Sequence, residues 1–308
     1  MTIKNRRKAK AGNSRYGPRL ARILSPMAVS EFLGKYFNRK PLFIRGRPGK
    51  FDFMFKADEL MKHLDKVTEI TAVFPRLWQA RIEPADVREM VNAGATICAR
   101  GLERGHAKLE AIARAVEQEI GYSGTVDFRA YLSPPGTGFD LHFDARVATT
   151  LQIAGQKRWW YADQPAVWFP EDNSPRPGHP RGGGPLPAKD AAFKTVLLRP
   201  GDLLCLPAGI WHAAKADERS SLALNMAFNY LDAGILDFLV FALRTRLQND
   251  PEWRRPLVLG PDRKGKIVRL QEELTSRGAQ MQDALAQLVE DAPSLLDAWN
   301  VWSRGPLD

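Results

Sequence analysis

Cysteine, histidine and long apolar runs are all scarce in this chain, and each scarcity removes a class of answer. Cys98 and Cys205 are the only cysteines, so no disulfide framework is available. Cys205 lies inside Leu203-Leu204-Cys205-Leu206, which reads as a buried strand, and a free thiol in a reducing cytoplasm is the expectation. The longest strongly apolar stretch, residues 235–243, contains Asp237 and falls well short of the roughly 20 residues a membrane span requires. No apolar segment follows the basic N-terminus, so a secretory leader is not expected either. Acidic residues are absent from the first 22 positions, which hold Lys4, Arg6, Arg7, Lys8, Lys10, Arg15, Arg19 and Arg22.

Much of the net charge of +10 sits in that tail. Residues 1–22 read as a solvated, disordered segment, as an electrostatic contact to RNA, ribosome or an acidic peptide, or as an Arg-rich targeting peptide. No aromatic interleaving supports base recognition, so any nucleic-acid contact made here is expected to be weak. With 308 residues and 44% apolar composition, the chain can build one large domain and a smaller appendage.

Past the tail, Ser25-Pro26 predicts a helix start, with Val29, Phe32, Leu33, Tyr36 and Phe37 on one apolar face. Residues 57–67 predict a second helix with Leu60, Met61, Leu64 and Val67 inward. Residues 70–104 mix strands and turns in no readable order. Residues 105–120 predict an amphipathic helix carrying Leu109, Ile112, Ala113, Val116 and Ile120, stopped by Gly121. His63 and His106 fall in helical or loop contexts and read as packing or surface residues.

From 126 to 230 the pattern is β. Residues 126–132 form a strand, and Val147, Thr149, Leu151 and Ile153 alternate as a half-buried strand should. Ala154-Gly155-Gln156 is a tight turn, and 157–161 is the returning arm of a hairpin. Residues 203–207 and 221–230 are further strands. The Pro- and Gly-rich segment 162–192, with an exposed His179, reads as a loop inserted near the mouth of a site. Helices over 232–248 and about 277–290 follow. The first gathers Ile235, Leu236, Leu239, Val240 and Leu243 on one face, a docking face onto the barrel or a homodimer contact. Short strands closing on themselves indicate a mainly β fold with flanking helices, a double-stranded β-helix of jelly-roll or cupin type.

Two stretches carry chemistry: Leu141-His142-Phe143-Asp144 and, about seventy residues later, Ile210-Trp211-His212. Residues at i and i+2 of an extended segment point to the same side, so His142 and Asp144 can grip one ion. A third ligand, His212, completes one triangular face and leaves the opposite positions open. Two imidazoles and one carboxylate with open positions form the facial triad of Fe(II) oxygenases, not a closed structural zinc site. Asn225 is a polar residue on the inward parity of the last strand, able to bind a small molecule or to make a structural hydrogen bond.

In this order the motifs resemble the JmjC-type ribosomal oxygenases, the cupin-4 branch of the 2-oxoglutarate oxygenases. The resemblance is carried by Glu31-Phe32-Leu33-Gly34-Lys35-Tyr36-Phe37-Asn38-Arg39-Lys40-Pro41-Leu42-Phe43-Ile44-Arg45-Gly46, by His142 to Trp159, and by Arg199-Pro200-Gly201-Asp202 leading to Trp211-His212. Leu224 to Tyr230 adds a weaker match. The resemblance implies that His142, Asp144 and His212 bind Fe(II), and that Lys157, fifteen residues after the first ligand, holds the distal carboxylate of 2-oxoglutarate. A carboxylate inside a dry barrel needs a cation, and strand parity turns Lys157 or Arg158 inward, not both. Tyr131 matches a family tyrosine that helps hold the cosubstrate, or else is a core aromatic. With O2 as second cosubstrate, the expected reaction is hydroxylation of a protein or peptide side chain, an arginine or histidine of a ribosomal protein by resemblance. It needs no general-base triad, which suits a chain of five histidines.

Rivals at the same site are hydroxylation of a peptide natural-product precursor or small molecule, and demethylation of N-methyl-lysine. A non-catalytic metal-binding cupin is the rival of a different class. The expected organisation is a tail over 1–22, a catalytic domain over 23–231 and a helical region over 232–308. Too little chain follows the barrel for the full winged-helix domain that larger members carry.

Overall fold

The computed structural model describes residues 19–74, 79–174, 192–231 and 233–303. The contacts divide the chain into two compact units, Met1–Asn229 and Tyr230–Asp308. In chain order the first unit contains α1 (Arg19–Leu24), α2 (Val29–Lys35), β1 (Leu42–Ile44), α3 (Leu60–His63), β2 (Glu69–Val73), β3 (Gln79–Arg81), α4 (Val87–Asn92), β4 (Thr96–Arg100) and α5 (Ala107–Ile120). The β core follows: β5 (Thr125–Ser133), β6 (Gly138–His142), β7 (Val147–Ala154), β8 (Lys157–Ala162), β9 (Phe193–Leu198), β10 (Leu203–Leu206), β11 (His212–Ala216) and β12 (Ser221–Asn229).

These strands make two antiparallel sheets. The larger runs β1-β10-β7-β12-β5-β4-β2-β3 and the smaller β6-β11-β8-β9. This is the expected mainly β architecture with flanking helices, a double-stranded β-helix. Strand parity gives the large sheet two different faces. Along β12, Leu222, Leu224, Met226 and Phe228 join Phe32, Leu109, Ile112 and Val116 of the helices in one apolar core. Fully burying each such side chain contributes roughly 1.5–3 kcal/mol. The alternate residues, Ala223 and Asn225, face the space between the sheets and line a cavity there. Trp159, Tyr161, Leu204, Leu206 and Ile210 form a second, smaller core.

Three local expectations need correction. The helix expected from Ser25-Pro26 begins instead at Val29, and a separate helix, α1, precedes it. Leu20, Ile23 and Leu24 are fully buried, while the Glu119 carboxylate accepts the Arg19 and Leu20 amides at 2.7 and 3.0 Å. Burial and that cap organise residues 19–22, which therefore do not belong to a disordered tail. Residues 1–18, with the bulk of the basic charge, lie outside the described residues. Met61, expected inward, is 41% exposed. Only Leu60–His63 is α-helical there, between two 3-10 turns, so the face rotates away from a 3.6-residue stripe.

The regular elements of the second unit, among its described residues, are all helices: α6 (Ile235–Leu247), α7 (Pro251–Arg254), α8 (Arg263–Glu290) and α9 (Ala292–Trp302). The helix expected near 277 starts at Arg263, where the Asp262 side chain accepts the Gly265 amide at 2.8 Å. Phe238 and Ala242, rather than the expected stripe, are the buried positions of α6, packed with Leu288, Trp299 and Trp302. Within this unit Ile235, Leu236 and Val240 remain exposed.

Candidate active site

The site is assembled by pairing between distant strands. His142 ends β6 and His212 begins β11, and the two are directly opposite in the ladder. Their ring centroids lie 4.3 Å apart. Each imidazole is fixed the same way: His142 Nδ1 bonds to the Asp140 carbonyl oxygen at 2.7 Å and His212 Nδ1 to that of Ile210 at 2.8 Å. A carbonyl only accepts, so Nδ1 carries the proton and the lone pair is on Nε2. Asp144 Oδ2 lies 3.9 Å from His212 Nε2. One ligand atom from each of the three residues falls within 4.8 Å of the others, and no second group of this kind occurs among the described residues.

Backbone contacts hold the ligand segment after it leaves β6. The Phe143 amide donates to Ser174 Oγ at 2.9 Å and the Ala145 amide to Asn173 Oδ1 at 2.8 Å. The Gly209 amide donates to the Asp144 carbonyl at 2.9 Å, tying the turn before His212 to the segment carrying Asp144. Gly209 has φ +77°, and a Cβ there would run into the Val167 carbonyl oxygen. The intervening residues of the two motifs, Phe143 and Trp211, are 4% exposed. Their rings meet edge-on at 5.0 Å, a hydrophobic clamp joining the two motifs.

Electrostatics set the charge states. Burial would raise the Asp144 carboxyl, but the Arg146 guanidinium and then the two histidines outweigh it, so it is held well below the usual carboxylate range. Arg146 Nη2 donates to Asp144 Oδ1 at 3.0 Å, leaving Oδ2 as the oxygen nearest His212. Burial lowers His212 to about 4, with His142 adding to the effect, so the imidazole is neutral and able to ligate. Trp159 stacks on His212 with centroids 5.7 Å apart and planes at 27°.

Lys157 resolves the parity question of β8: it is 2% exposed, whereas the Arg158 side chain is 41% exposed. Its Nζ donates to Ser133 Oγ on β5 at 2.9 Å, and the rings of Tyr131 and Phe139 lie 5.8 and 5.9 Å from it. Burial lowers this ammonium to about 8, and no carboxylate pairs with it among the described residues. Asn225 Nδ2 donates to Thr150 Oγ1 at 3.1 Å, while its Oδ1 is buried without a partner among the described residues. The structure gathers all six expected residues, Tyr131, His142, Asp144, Lys157, His212 and Asn225, around one cavity, with Ala148, Ala214 and Ala223 leaving room between them.

His63 and His106 are elsewhere, with rings 4.6 Å apart, and His106 caps α5 through the Leu109 amide. His179 lies outside the described residues, as does most of the 162–192 loop, although Asn173 and Ser174 from its start line the cavity. Sequence reasoning missed Arg146, Ser133, Arg100 and Thr71. Arg146 shares the parity of Asp144 two residues on, and Ser133 that of Tyr131, so those two were legible in principle. Arg100 and Thr71 reach the cavity only through the β5–β4–β2 pairings.

Comparison with known proteins agrees with this geometry. A family model described as the JmjC domain matches residues 106–234. That stretch is similar to a JmjC domain. The chain is 28% identical over 276 residues to an uncharacterized protein, YxbC, of Bacillus subtilis, covering 76% of this chain and 77% of that one. It is 26% identical over 310 residues to the bifunctional lysine-specific demethylase and histidyl-hydroxylase NO66 of Aedes aegypti. That alignment covers 94% of this chain but 46% of the Aedes protein, so the chain spans under half the length of this relative. Among solved structures, the ribosomal oxygenase YcfD of Escherichia coli in complex with cobalt and 2-oxoglutarate superposes with a TM-score of 0.58 at 16% identity. The match covers 92% of this chain and 73% of YcfD, a likeness of fold. The matched stretch contains α5, the strands β5 to β12 and His142, Asp144 and His212.

Proposed function

We propose that this chain is an Fe(II)- and 2-oxoglutarate-dependent oxygenase that hydroxylates a side chain of a protein or peptide. One observation carries the reading: a two-histidine, one-carboxylate cluster shares a cavity with a buried lysine that has no carboxylate partner among the described residues. A buried ammonium is costly unless an anion answers it. Lys157 places one hydrogen bond on Ser133 and has two N–H groups left, which fits a dicarboxylate. The orphaned Oδ1 of Asn225 and Nε1 of Trp159 fit a cavity built to receive a polar ligand.

His142, Asp144 and His212 would hold the iron on one face, with Arg146 keeping the second Asp144 oxygen turned aside. Lys157, flanked by Tyr131, would bind the distal carboxylate of 2-oxoglutarate, and Asn225 would orient the cosubstrate from β12. Phe143 and Trp211, buried and in ring contact, hold the two ligand segments together. When bound, iron, 2-oxoglutarate and O2 supply the oxidation: the cosubstrate is decarboxylated to succinate and CO2, and a C–H bond of the substrate becomes C–OH. N-methyl-lysine demethylation draws on the same oxidation, a reading supported by the name of the NO66 relatives, and formaldehyde release separates it from stable hydroxylation.

Both cysteines are buried and unpaired, which supports a reducing compartment, and no helix among the described residues is long and apolar enough to cross a membrane. The exposed Ile235, Leu236 and Val240 of α6 support a homodimer contact, read by sedimentation. The decisive test is anaerobic titration of the protein with Fe(II) and 2-oxoglutarate, followed by succinate measurement in air with ribosomes or cell extract. Mass spectrometry for the gain of one oxygen then finds the target. Iron in the site with no succinate above background refutes the oxygenase reading in favour of a non-catalytic metal-binding cupin.

A further inference from the structure

We infer that the substrate side of this cavity selects a side chain bearing a carboxylate, recognised by Arg100 on β4 and Thr71 on β2. The inference rests on the oxygenase reading and specifies its substrate class. Strands β4 and β2 extend the large sheet beyond β5, with Thr71 opposite Cys98 and Cys98 opposite Tyr131. Thr71, Cys98 and Arg100 form part of the cavity wall.

Two polar groups on that wall have no partner among the described residues: Arg100 Nε and Thr71 Oγ1, both buried. Such groups cost free energy until a ligand satisfies them. Nearby carboxylates are already engaged. Glu69 Oε2 takes Arg100 Nη1 at 2.9 Å and the Cys98 thiol, a weak partner, also acts on the guanidinium, so it is held in place while its buried Nε meets no oxygen acceptor among the described residues. Asp127 is held by Arg129 through two bonds, at 3.1 and 2.9 Å. Asp144 is held by Arg146. Of the charged side chains described around the cavity, Arg100, Arg146 and Lys157 are cationic and Asp144 is the one carboxylate.

An arginine or lysine entering here would bury a cation with only neutral acceptors to meet it, since the one carboxylate described around the cavity is held by Arg146. A carboxylate would meet the buried Nε of Arg100 and the Thr71 hydroxyl, a charge-assisted pairing stronger than one between neutral groups. The wall therefore favours aspartate or glutamate over a basic residue.

The test uses the full chain loaded with Co(II) and 2-oxoglutarate, and fluorescent capped pentapeptides that differ only at the central residue. Aspartate or glutamate at that position is expected to bind roughly ten- to a hundred-fold tighter than asparagine, arginine or lysine. Arg100→Met should reduce that preference to about threefold or less, and Thr71→Val, nearly the same shape, should weaken it even if the arginine variant fails to fold. Equal or tighter binding of the basic peptides, or no binding by any peptide, overturns the inference. A protein that takes up Co(II) and 2-oxoglutarate but does not discriminate refutes this inference alone. One that takes up neither refutes the oxygenase reading and this inference with it.

Discussion

Lys157 on β8 reaches across the gap between the sheets to Ser133 on β5, Nζ to Oγ at 2.9 Å, and Thr96 Oγ1 donates to the same hydroxyl at 3.1 Å. Among the described residues the buried cation is thus held by one neutral hydroxyl. Evolution of a core for stability would place an apolar residue there. Replacing Lys157 with Met should therefore separate two properties. The metal-free protein should gain of the order of 1–3 kcal/mol, because a charge moved from about 10.5 to about 8 by burial is removed. Its thermal midpoint should rise by about 2–4 °C per kcal/mol, while 2-oxoglutarate binding, measured by calorimetry, is lost.

The same group sets a pH dependence. In the unfolded chain Lys157 titrates near its model value of 10.5, and in the fold near 8, lowered by burial. Between these values the unfolded state binds more protons, so this group makes the metal-free protein more stable as pH rises from about 8 to about 10.5, with no contribution to the slope below 8. A carboxylate ligand needs the ammonium form. Affinity for 2-oxoglutarate should fall above pH 8 by up to about tenfold per unit, and isothermal titration between pH 7 and 9.5 measures the slope. A flat profile would assign the carboxylate to another partner.

Arg146 fixes which oxygen of Asp144 faces the histidines. Removing that contact with Arg146→Met should weaken metal binding by about 10–100-fold, as other supports of metal ligands do. The visible spectrum of Co(II) during titration gives both the affinity and the coordination geometry. Unchanged affinity would show that the guanidinium serves some purpose other than holding the carboxylate.

Gly209→Ala should be among the most damaging single methyl additions. The position combines a positive φ with contact to the Val167 carbonyl, and its amide holds the Asp144 carbonyl. A loss of more than about 2 kcal/mol in urea unfolding is expected, together with weaker Co(II) uptake, because the turn carrying His212 must shift.

The β core was legible because alternation is local: the parity of Asn225 is read from its own strand, while that of β8 left Lys157 or Arg158 inward until the structure buried Lys157. The triad was legible because i and i+2 geometry is encoded in His142-Phe143-Asp144 itself. The wall formed by Thr71, Cys98 and Arg100 was not, since nothing near residue 71 or 100 states that β2 pairs with β4 and β4 with β5. Tertiary burial also overrode local signals. Ser25-Pro26 has the chemistry of a helix start, yet Leu20, Ile23 and Leu24 made a helix just before it. Arg263 to Glu290 was expected only from about 277, because Arg263-Lys264-Gly265-Lys266 opens it with charge and a glycine, and the Asp262 cap is the local marker of its true start.

The pairing of His142 with His212 also has a kinetic side. These neighbours on one ladder are separated by about seventy residues of chain, so their rung closes a long loop, and such contacts form slowly because chain entropy is lost before the contact is made. Neither β6 nor β11 can present its imidazole to the other until the strands between them have found their places. Competence to bind a metal is therefore a property of the finished fold, and Co(II) uptake during refolding would time the last step of barrel closure.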